Sequence, residues 1–334
     1  MKMRSGLACI VAATALLIFS TESAWSVQRR AQLAYVSNER DGTITVIDTA
    51  TDEVVSSIKV GGRLRGIHLS ADGRRLYVAL TYPSHQREST ADKIVAIDTA
   101  TRQVVSSYDA GSDPEQFAIS RDGARLYVSN EDAGTASITD LRTNRVIATL
   151  VVGIEPEGVA MSPDGRWVYV TSESSSNVSV IDTKTNSIRA TFPVGARPRA
   201  AAFSPDGLRA YVTAENGGTV SVVAVAKHAV IETIQLPREQ VKPMGVAVSG
   251  DGRRIYVSNG RGNSVAVIDG RTHKLIDMVA VAHRPWGIAV TRDGKKVYTA
   301  NGLSNDVAVI DAATNRVIKT IKAGDGPWGI AMSR

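Results

Sequence analysis

Cysteine is almost missing from this sequence. The one copy among 334 residues is Cys9, inside an apolar N-terminal run. Beyond that run there is therefore no disulfide, thiolate metal site or cysteine nucleophile. Histidine is scarce too: five copies with no pair at ligand spacing, which speaks against a multi-histidine copper or zinc centre. Neither charge sign dominates, with 39 basic against 33 acidic residues and a formal charge of +6. That excess is weak support for nucleic acid and none for a polybasic membrane anchor. No apolar run spans a bilayer comfortably; the longest is Leu7 to Phe19. A Gly-x-Ser-x-Gly elbow, a phosphate loop and a dinucleotide fingerprint in its strand–helix setting are all missing. Aromatic residues make up only 5%, yet nine of the 17 rings are Tyr, which points to one repeated aromatic position.

What is present is the composition of a folded chain: 43% hydrophobic and 22% charged residues exclude disorder and collagen. Residues 1–26 read as a secretory signal, with Lys2 and Arg4 before the apolar run. Ala24 and Ser26 stand at −3 and −1 of a cleavage point between Ser26 and Val27. Cys9 lies within the apolar run rather than after it, so it does not mark a lipoprotein. The reading is export to a bacterial periplasm, with no membrane span after signal removal and one domain over 27–334.

A repeat sets the fold. Tyr35, Tyr77, Tyr127, Tyr169, Tyr211, Tyr256 and Tyr298 each open a short β-branched run, at spacings of 42, 50, 42, 42, 45 and 42. An Asp-Gly turn precedes six of them, at Asp72, Asp122, Asp164, Asp206, Asp251 and Asp293. Thirteen residues after Tyr35 stands Asp48, and Asp140, Asp182, Asp269 and Asp311 share that offset. Asp98 joins them once an eight-residue insertion is removed, and Ala224 is the exception. A period near 42 with alternating short strands and turns predicts an all-β, seven-bladed β-propeller of four-stranded antiparallel blades. No segment has a convincing helical period. In one unit the strands are Gly158 to Ser162, Trp167 to Thr171, Asn177 to Asp182 and Ile188 to Phe192. Tyr35 lacks an inner strand before it, while Gly329 to Ser333 ends the chain without a second strand. The two halves sum to one blade, so the C-terminal strand is expected to join the N-terminal blade and close the ring.

Tyr35-Val-Ser-Asn, Tyr127-Val-Ser-Asn and Tyr298-Thr-Ala-Asn resemble the YVTN-type propeller repeat over essentially the whole chain after the leader. Asp113-Pro-Glu-Gln-Phe, Glu155-Pro-Glu-Gly, Arg197-Pro-Arg, Ala214-Glu-Asn-Gly-Gly-Thr-Val, Asn301-Gly-Leu-Ser-Asn-Asp-Val and Pro327-Trp-Gly are together similar to seven-repeat propellers associated with PQQ-dependent alcohol catabolism. That resemblance implies a periplasmic accessory protein linked with transport. The insertion at Tyr82–Ser89 departs from the plain repeat. The Trp-docking repeat with which PQQ dehydrogenases hold their own quinone is missing, so PQQ is implied only through associated enzymes and no cofactor is assigned to this chain.

The regular positions are scaffold. The repeated Asp residues are expected to cap turn amides and the repeated Tyr residues to pack blade against blade. The variable positions point elsewhere. Both length changes, Tyr82–Ser89 and the stretch from Leu236 to Gln240, fall on the face that carries the loops entering the inner strands. Rigid scaffolds usually carry binding on such loops.

The residue before each inner strand should ring the channel mouth: Arg65, Glu115, Glu157, Arg199, Met244, Trp286 and Trp328. Four residues after each Tyr gives a second ring of Thr81, Glu131, Glu173, Glu215, Gly260, Gly302 and Glu39. Asp113, Glu115, Glu131, Glu155, Glu157 and Glu173 crowd two neighbouring blades, flanked by Arg63, Arg65, Arg197 and Arg199. An acidic crescent suits a cationic or metal-bearing partner, and exposed Trp residues suit an aromatic contact. The bland alternative is a solvated rim in which these carboxylates pair with the arginines. Calcium at Glu115, Glu131 and Glu157 is conceivable but lacks a spacing signature. His68 stands on an inner strand where other blades carry Ala, as at Ala160, and either lines the channel or packs in the core.

The expected binding mouth is therefore Arg65, Glu115, Glu131, Glu157, Glu173, Arg199, Trp286 and Trp328. The first functional reading is a non-catalytic binding or scaffold propeller beside PQQ-dependent oxidation. Its partner would be a dehydrogenase or cytochrome c-like protein, or a small ligand. The second is a lactonase-like hydrolase using Glu157, Arg199 and His283, since related seven-bladed propellers include such activities. Single-stranded nucleic-acid binding is the third, and the acidic crescent counts against it.

Overall fold

The computed structural model describes residues 32–82, 92–237 and 241–333. The leader, all of the Tyr82–Ser89 insertion after Tyr82, and residues 238–240 of the second length change lie outside the described residues. Among these there are 28 strands, from β1 (Leu33–Asn38) to β28 (Pro327–Met332), forming seven antiparallel sheets of four. The protein is a seven-bladed β-propeller. Blade 4 is typical: β12 (Pro156–Met161) is innermost, followed outward by β13 (Trp167–Ser172), β14 (Asn177–Asp182) and β15 (Ser187–Pro193).

Ring closure follows the sequence expectation. β28 pairs antiparallel with β1, Tyr35 opposite Ala331 and Val36 opposite Ile330, so that blade 1 takes its inner strand from the C-terminus. The seam is sealed again at the ends, where Leu33 N–H donates to Ser333 Oγ at 2.6 Å and Ser333 N–H to the Leu33 carbonyl at 2.7 Å. Farther out, Asp52 in a turn of blade 1 accepts from Lys296 Nζ of blade 7 at 2.7 Å and from the Tyr298 hydroxyl.

The core lies between blades. One apolar cluster joins Tyr169, Val178 and Val180 of blade 4 to Ala210, Val212 and Val223 of blade 5. The repeated tyrosines fill these seams, and Tyr127, Tyr169, Tyr211, Tyr256 and Tyr298 are fully buried. A buried ring needs a partner for its hydroxyl. Tyr169 finds His228 Nδ1 at 2.9 Å, in a turn of the next blade. The repeated aspartates cap turns as their offset implies. Asp140 accepts from the amides of Arg142 and Thr143 at 3.0 and 2.8 Å, and Asp311 from those of Ala313 and Thr314 at 3.1 and 2.8 Å.

One feature of the inner strands was not legible in the repeat. Each of the seven carries a β-bulge near its start; in blade 4, Pro156 lies opposite Ser172 but Val159 opposite Val170. The same shift occurs in β4 (Arg63–Leu69), β8 (Pro114–Ile119), β16 (Pro198–Phe203), β20 (Pro243–Val248), β24 (Pro285–Val290) and β28. The strands thus begin earlier than expected, and the ring residues sit within the bulges. A bulge breaks the alternation of side chains and re-aims one of them. Here seven bulges bring seven side chains to the mouth, each followed by a small residue except in blade 3, where Gln116 follows Glu115.

Candidate ligand site at the mouth of the ring

A cavity of about 370 Å³ lies at the mouth. Its lining includes Arg65, Glu115, Glu131, Glu157, Arg199, Trp286 and Trp328, together with Glu39, Arg197 and Arg284. Seven of the eight expected mouth residues thus meet in one pocket. The eighth, Glu173, is buried beside it and pairs with Arg199 and with Arg197, the latter at 2.7 Å.

Arg199 is the hub. It pairs with Glu157 and Glu173 through Nη1 and with Glu215 through Nη2 at 2.7 Å. Its side chain is 10% exposed, and those of its partners 8%, 2% and 10%. Three carboxylates thus surround two guanidiniums, those of Arg197 and Arg199. The surplus negative charge is relieved by a proton. Burial and the neighbouring Glu157 push the Glu173 carboxyl up to about 9, against the pull of Arg199 and Arg197. Glu173 therefore keeps its proton at neutral pH, because burial and the neighbouring Glu157 both resist its ionisation.

Across the pocket, Arg65 pairs with Glu39 at 3.1 Å and with Glu115, and lies 3.5 Å from Glu131. Arg63 holds Glu39 at 2.7 Å. Burial pushes Glu39 up, but the two guanidiniums prevail and leave its carboxyl below the ordinary range. Burial raises the carboxyls of Asp113 and Glu131 despite Arg65. Asp113, Glu115 and Glu131 bring carboxylate oxygens within 4.8 Å of one another. This differs from the calcium trio considered above: Asp113 takes the place of Glu157, because Arg199 draws Glu157 into the other network. Arg65 supplies the positive charge in this cluster.

The tryptophans are less exposed than the sequence implied. Trp328 is buried and Trp286 half-buried, because blades 7 and 1 are neighbours and the two rings stack at 5.7 Å and 26°. Burial of the facing rings is favoured over leaving both wet. Arg199 and Arg284 approach Trp286 at 5.3 and 5.0 Å from the ring centre. The glycines opposite make room: a Cβ at Gly302 would come within 3.2 Å of Trp286, and one at Gly260 within 2.9 Å of Met244.

His283 does not line this pocket. It is exposed on the rim, where its Nδ1 lies 3.3 Å from Asn263 Nδ2 and its amide donates to Ser304 Oγ at 3.1 Å. The next residue, Arg284, has φ 57°, and this turn of the chain places its side chain in the pocket while His283 stays outside. Arg284 was missed, although it stands at the offset already marked by Arg63, Asp113, Glu155 and Arg197. No ion pair engages it among the described residues, so it is a pocket guanidinium without a carboxylate partner.

Protonation of Glu173 carries a stability consequence. A carboxyl near 4.5 in the unfolded chain and near 9 in the folded one binds more protons when folded between those values. Its contribution is complete below pH about 4.5 and is lost as pH rises towards 9. Glu173→Gln mimics the protonated form. We expect its melting temperature to match that of the wild type at pH 5 and to exceed it increasingly towards pH 9, measured by calorimetry. Parallel curves for the two proteins would contradict a stored proton.

Comparison with known proteins agrees with the architecture. A family model described as lactonase, 7-bladed beta-propeller, matches residues 183–323, and one described as cytochrome D1 heme domain matches residues 87–200. Each spans less than half of the chain. No curated protein matches by sequence. Among solved structures, a putative 6-phosphogluconolactonase from Bacteroides fragilis is similar at 18% identity and a TM-score of 0.76, over 92% of this chain and 99% of that one. Hydrazine synthase of Kuenenia stuttgartiensis is similar at 21% identity and a TM-score of 0.70, over 81% and 91%. A functionally unknown protein from Desulfotomaculum acetoxidans shares 18% identity with a TM-score of 0.76, over 90% and 99%. At these identities the likeness is one of fold.

Proposed function

We propose that the mouth binds a small ring ester and opens it by hydrolysis, with Glu157 as general base. The observation that carries this reading is the placement of Glu157 and Glu173 together on the guanidinium of Arg199 at the edge of a 370 Å³ pocket, where burial keeps Glu173 protonated. A protonated carboxyl beside a second carboxyl group orients that group and leaves it free to act as a base. The lactonase family match over 183–323 lends support, since that stretch contains Arg197, Arg199, Glu215, Arg284 and Trp286.

In this scheme the ester ring lies beside Trp286, and its carbonyl oxygen accepts from the guanidinium of Arg284. A water gives a proton to the Glu157 carboxylate and attacks the carbonyl carbon through oxygen. The ring C–O bond then breaks, and the departing alkoxide takes the proton back from Glu157. Glu173 keeps its own proton and, with Arg199, fixes the orientation of Glu157. Of the three residues named above for a hydrolase, Glu157 is here the base and Arg199 a positioning residue, while Arg284 takes the place of His283. The test is a panel of neutral five- and six-membered lactones followed by pH-stat. Turnover above buffer is expected, and rates equal to buffer for the whole panel would sink the reading.

A second reading rests on the acidic cluster Asp113, Glu115 and Glu131. It is the periplasmic accessory role beside PQQ-dependent alcohol oxidation, with a cationic face of a cytochrome c-like or dehydrogenase partner on the crescent. The motif resemblance supports it. Recovery of such a partner from periplasm by the wild type but not by Glu131→Gln, with no lactone turnover, would favour it over the first.

A further inference from the structure

Below the mouth the channel continues. A throat of about 50 Å³ is bounded by Met244, Trp286 and Trp328, and under it lies an axial chamber of about 160 Å³. Throat and chamber share Gln116, Ala200, Gly245 and Gly287, so they are successive segments of one passage. The chamber wall is apolar, built from Ile67, Val159, Ala201, Val246, Ile288 and Ile330 with bulge glycines between them. Two polar side chains interrupt it, His68 and Gln116.

Both break the repeat. The residue opposite the repeated tyrosine is Ala in six blades and His68 in blade 2. The second bulge residue is Gly or Ala in six blades and Gln116 in blade 3. These two departures stand in adjacent blades and meet, with His68 Nε2 3.3 Å from Gln116 Oε1. The imidazole also packs edge-on against Phe117 at 5.0 Å. Burial holds it below the ordinary histidine range, hence neutral. A neutral ring that donates from Nε2 to Gln116 Oε1 keeps an acceptor at Nδ1, and Gln116 keeps its amide donor. Among the described residues no hydrogen bond engages either group.

We propose that this chamber is a second binding site, for a small neutral molecule with an apolar body and a single hydroxyl. Size, polarity and charge each support that class. An engineered protein cavity of about 150 Å³ lined by apolar side chains takes up benzene; this chamber is of that volume but opens along the axis, so its ligand displaces water. One acceptor beside one donor suits a hydroxyl, which donates to His68 and accepts from Gln116. A charged molecule is disfavoured, since no counter-charge stands on the chamber wall. Glu157 and Arg199 stop at the throat. The site is separate from the mouth chemistry and does not rest on it.

Titration calorimetry with phenol and with benzene tests the assignment. The wild type should bind phenol about tenfold or more tightly than benzene, as a hydroxyl with both partners in place requires. His68→Ala, which installs the residue of the other six blades, should lose that preference while still taking up benzene. Ala201→Leu, which fills the chamber, should bind neither. On ¹⁵N-labelled wild type, phenol should move the Nδ1 resonance of His68. The assignment is overturned if the wild type binds neither probe, if His68→Ala keeps the phenol preference, or if phenol binding survives in Ala201→Leu.

Discussion

Deletion of residues 327–334 is expected to abolish cooperative unfolding and leave a chain that aggregates at room temperature. Those residues supply the innermost strand of blade 1, the only strand of that sheet drawn from the far end of the chain. Without it, β1 presents an unpaired hydrogen-bonding edge at the centre of the ring, a site open to pairing with another molecule. Tyr35 loses its neighbour Ala331, and Trp286 loses the stacked Trp328. Blades 7 and 1 then keep the apolar seam of Ala34, Val36 and Ile47 against Tyr298, Ala300 and Val307 and the contact of Lys296 with Asp52, but lose the inner strand that closes it. Ala331→Asp isolates the same seam without shortening the chain. It places a carboxylate where 7% of the side chain is exposed, so a large loss in melting temperature is expected there as well. Calorimetry that finds a wild-type transition in the truncated chain would refute the closing role of β28.

Arg199→Ala carries the next largest expected effect, a loss of about 3–5 kcal/mol, the range for removing one partner of a buried ion pair. Glu157, Glu173 and Glu215 would share a low-exposure site with Arg197 as their remaining cation among the residues of this network. For a domain of this length the corresponding drop in melting temperature is roughly 6–20 °C. The deficit should shrink in acid, since protonated carboxyls no longer repel one another. A drop of under about 2 °C at pH 7 would mean that the carboxylates reach water. That outcome would restore the solvated rim as the better description of the mouth.

The architecture was legible because the repeat states it several times over. Seven tyrosines at a nearly fixed spacing, six Asp-Gly turns and the two half-units at the ends define the blades and their closure without any long-range contact being known. The mouth was legible as a ring of positions, since one offset from each inner strand collects Arg65, Glu115, Glu157, Arg199, Trp286 and Trp328. What the offsets do not contain is direction. The bulge in each inner strand is a backbone shift: the Gly or Ala at its second position in six blades marks where it falls, but not which side chain it turns to the pocket. The left-handed turn at Arg284 brings that residue in and leaves His283 on the rim, so a sequence neighbour of the right chemistry was chosen in place of the one that arrives. Competition among partners was hidden as well. Glu157 looks like a member of the acidic cluster in sequence, yet Arg199 takes it, and Asp113 completes the cluster with Glu115 and Glu131. The exposure of the tryptophans was misjudged for a related reason, because spacing says that two rings line the mouth but not that they lie face to face.

The most direct measurement of the central claim is the rate of lactone opening by Glu157→Gln beside the wild type, on the best lactone of the panel at pH 7. Glutamine keeps the size and a hydrogen-bonding end but takes no proton. If Glu157 is the base, kcat falls about 10²–10⁴-fold while the melting temperature shows the fold intact. A folded Glu157→Gln variant that opens the lactone at the wild-type rate would contradict the account.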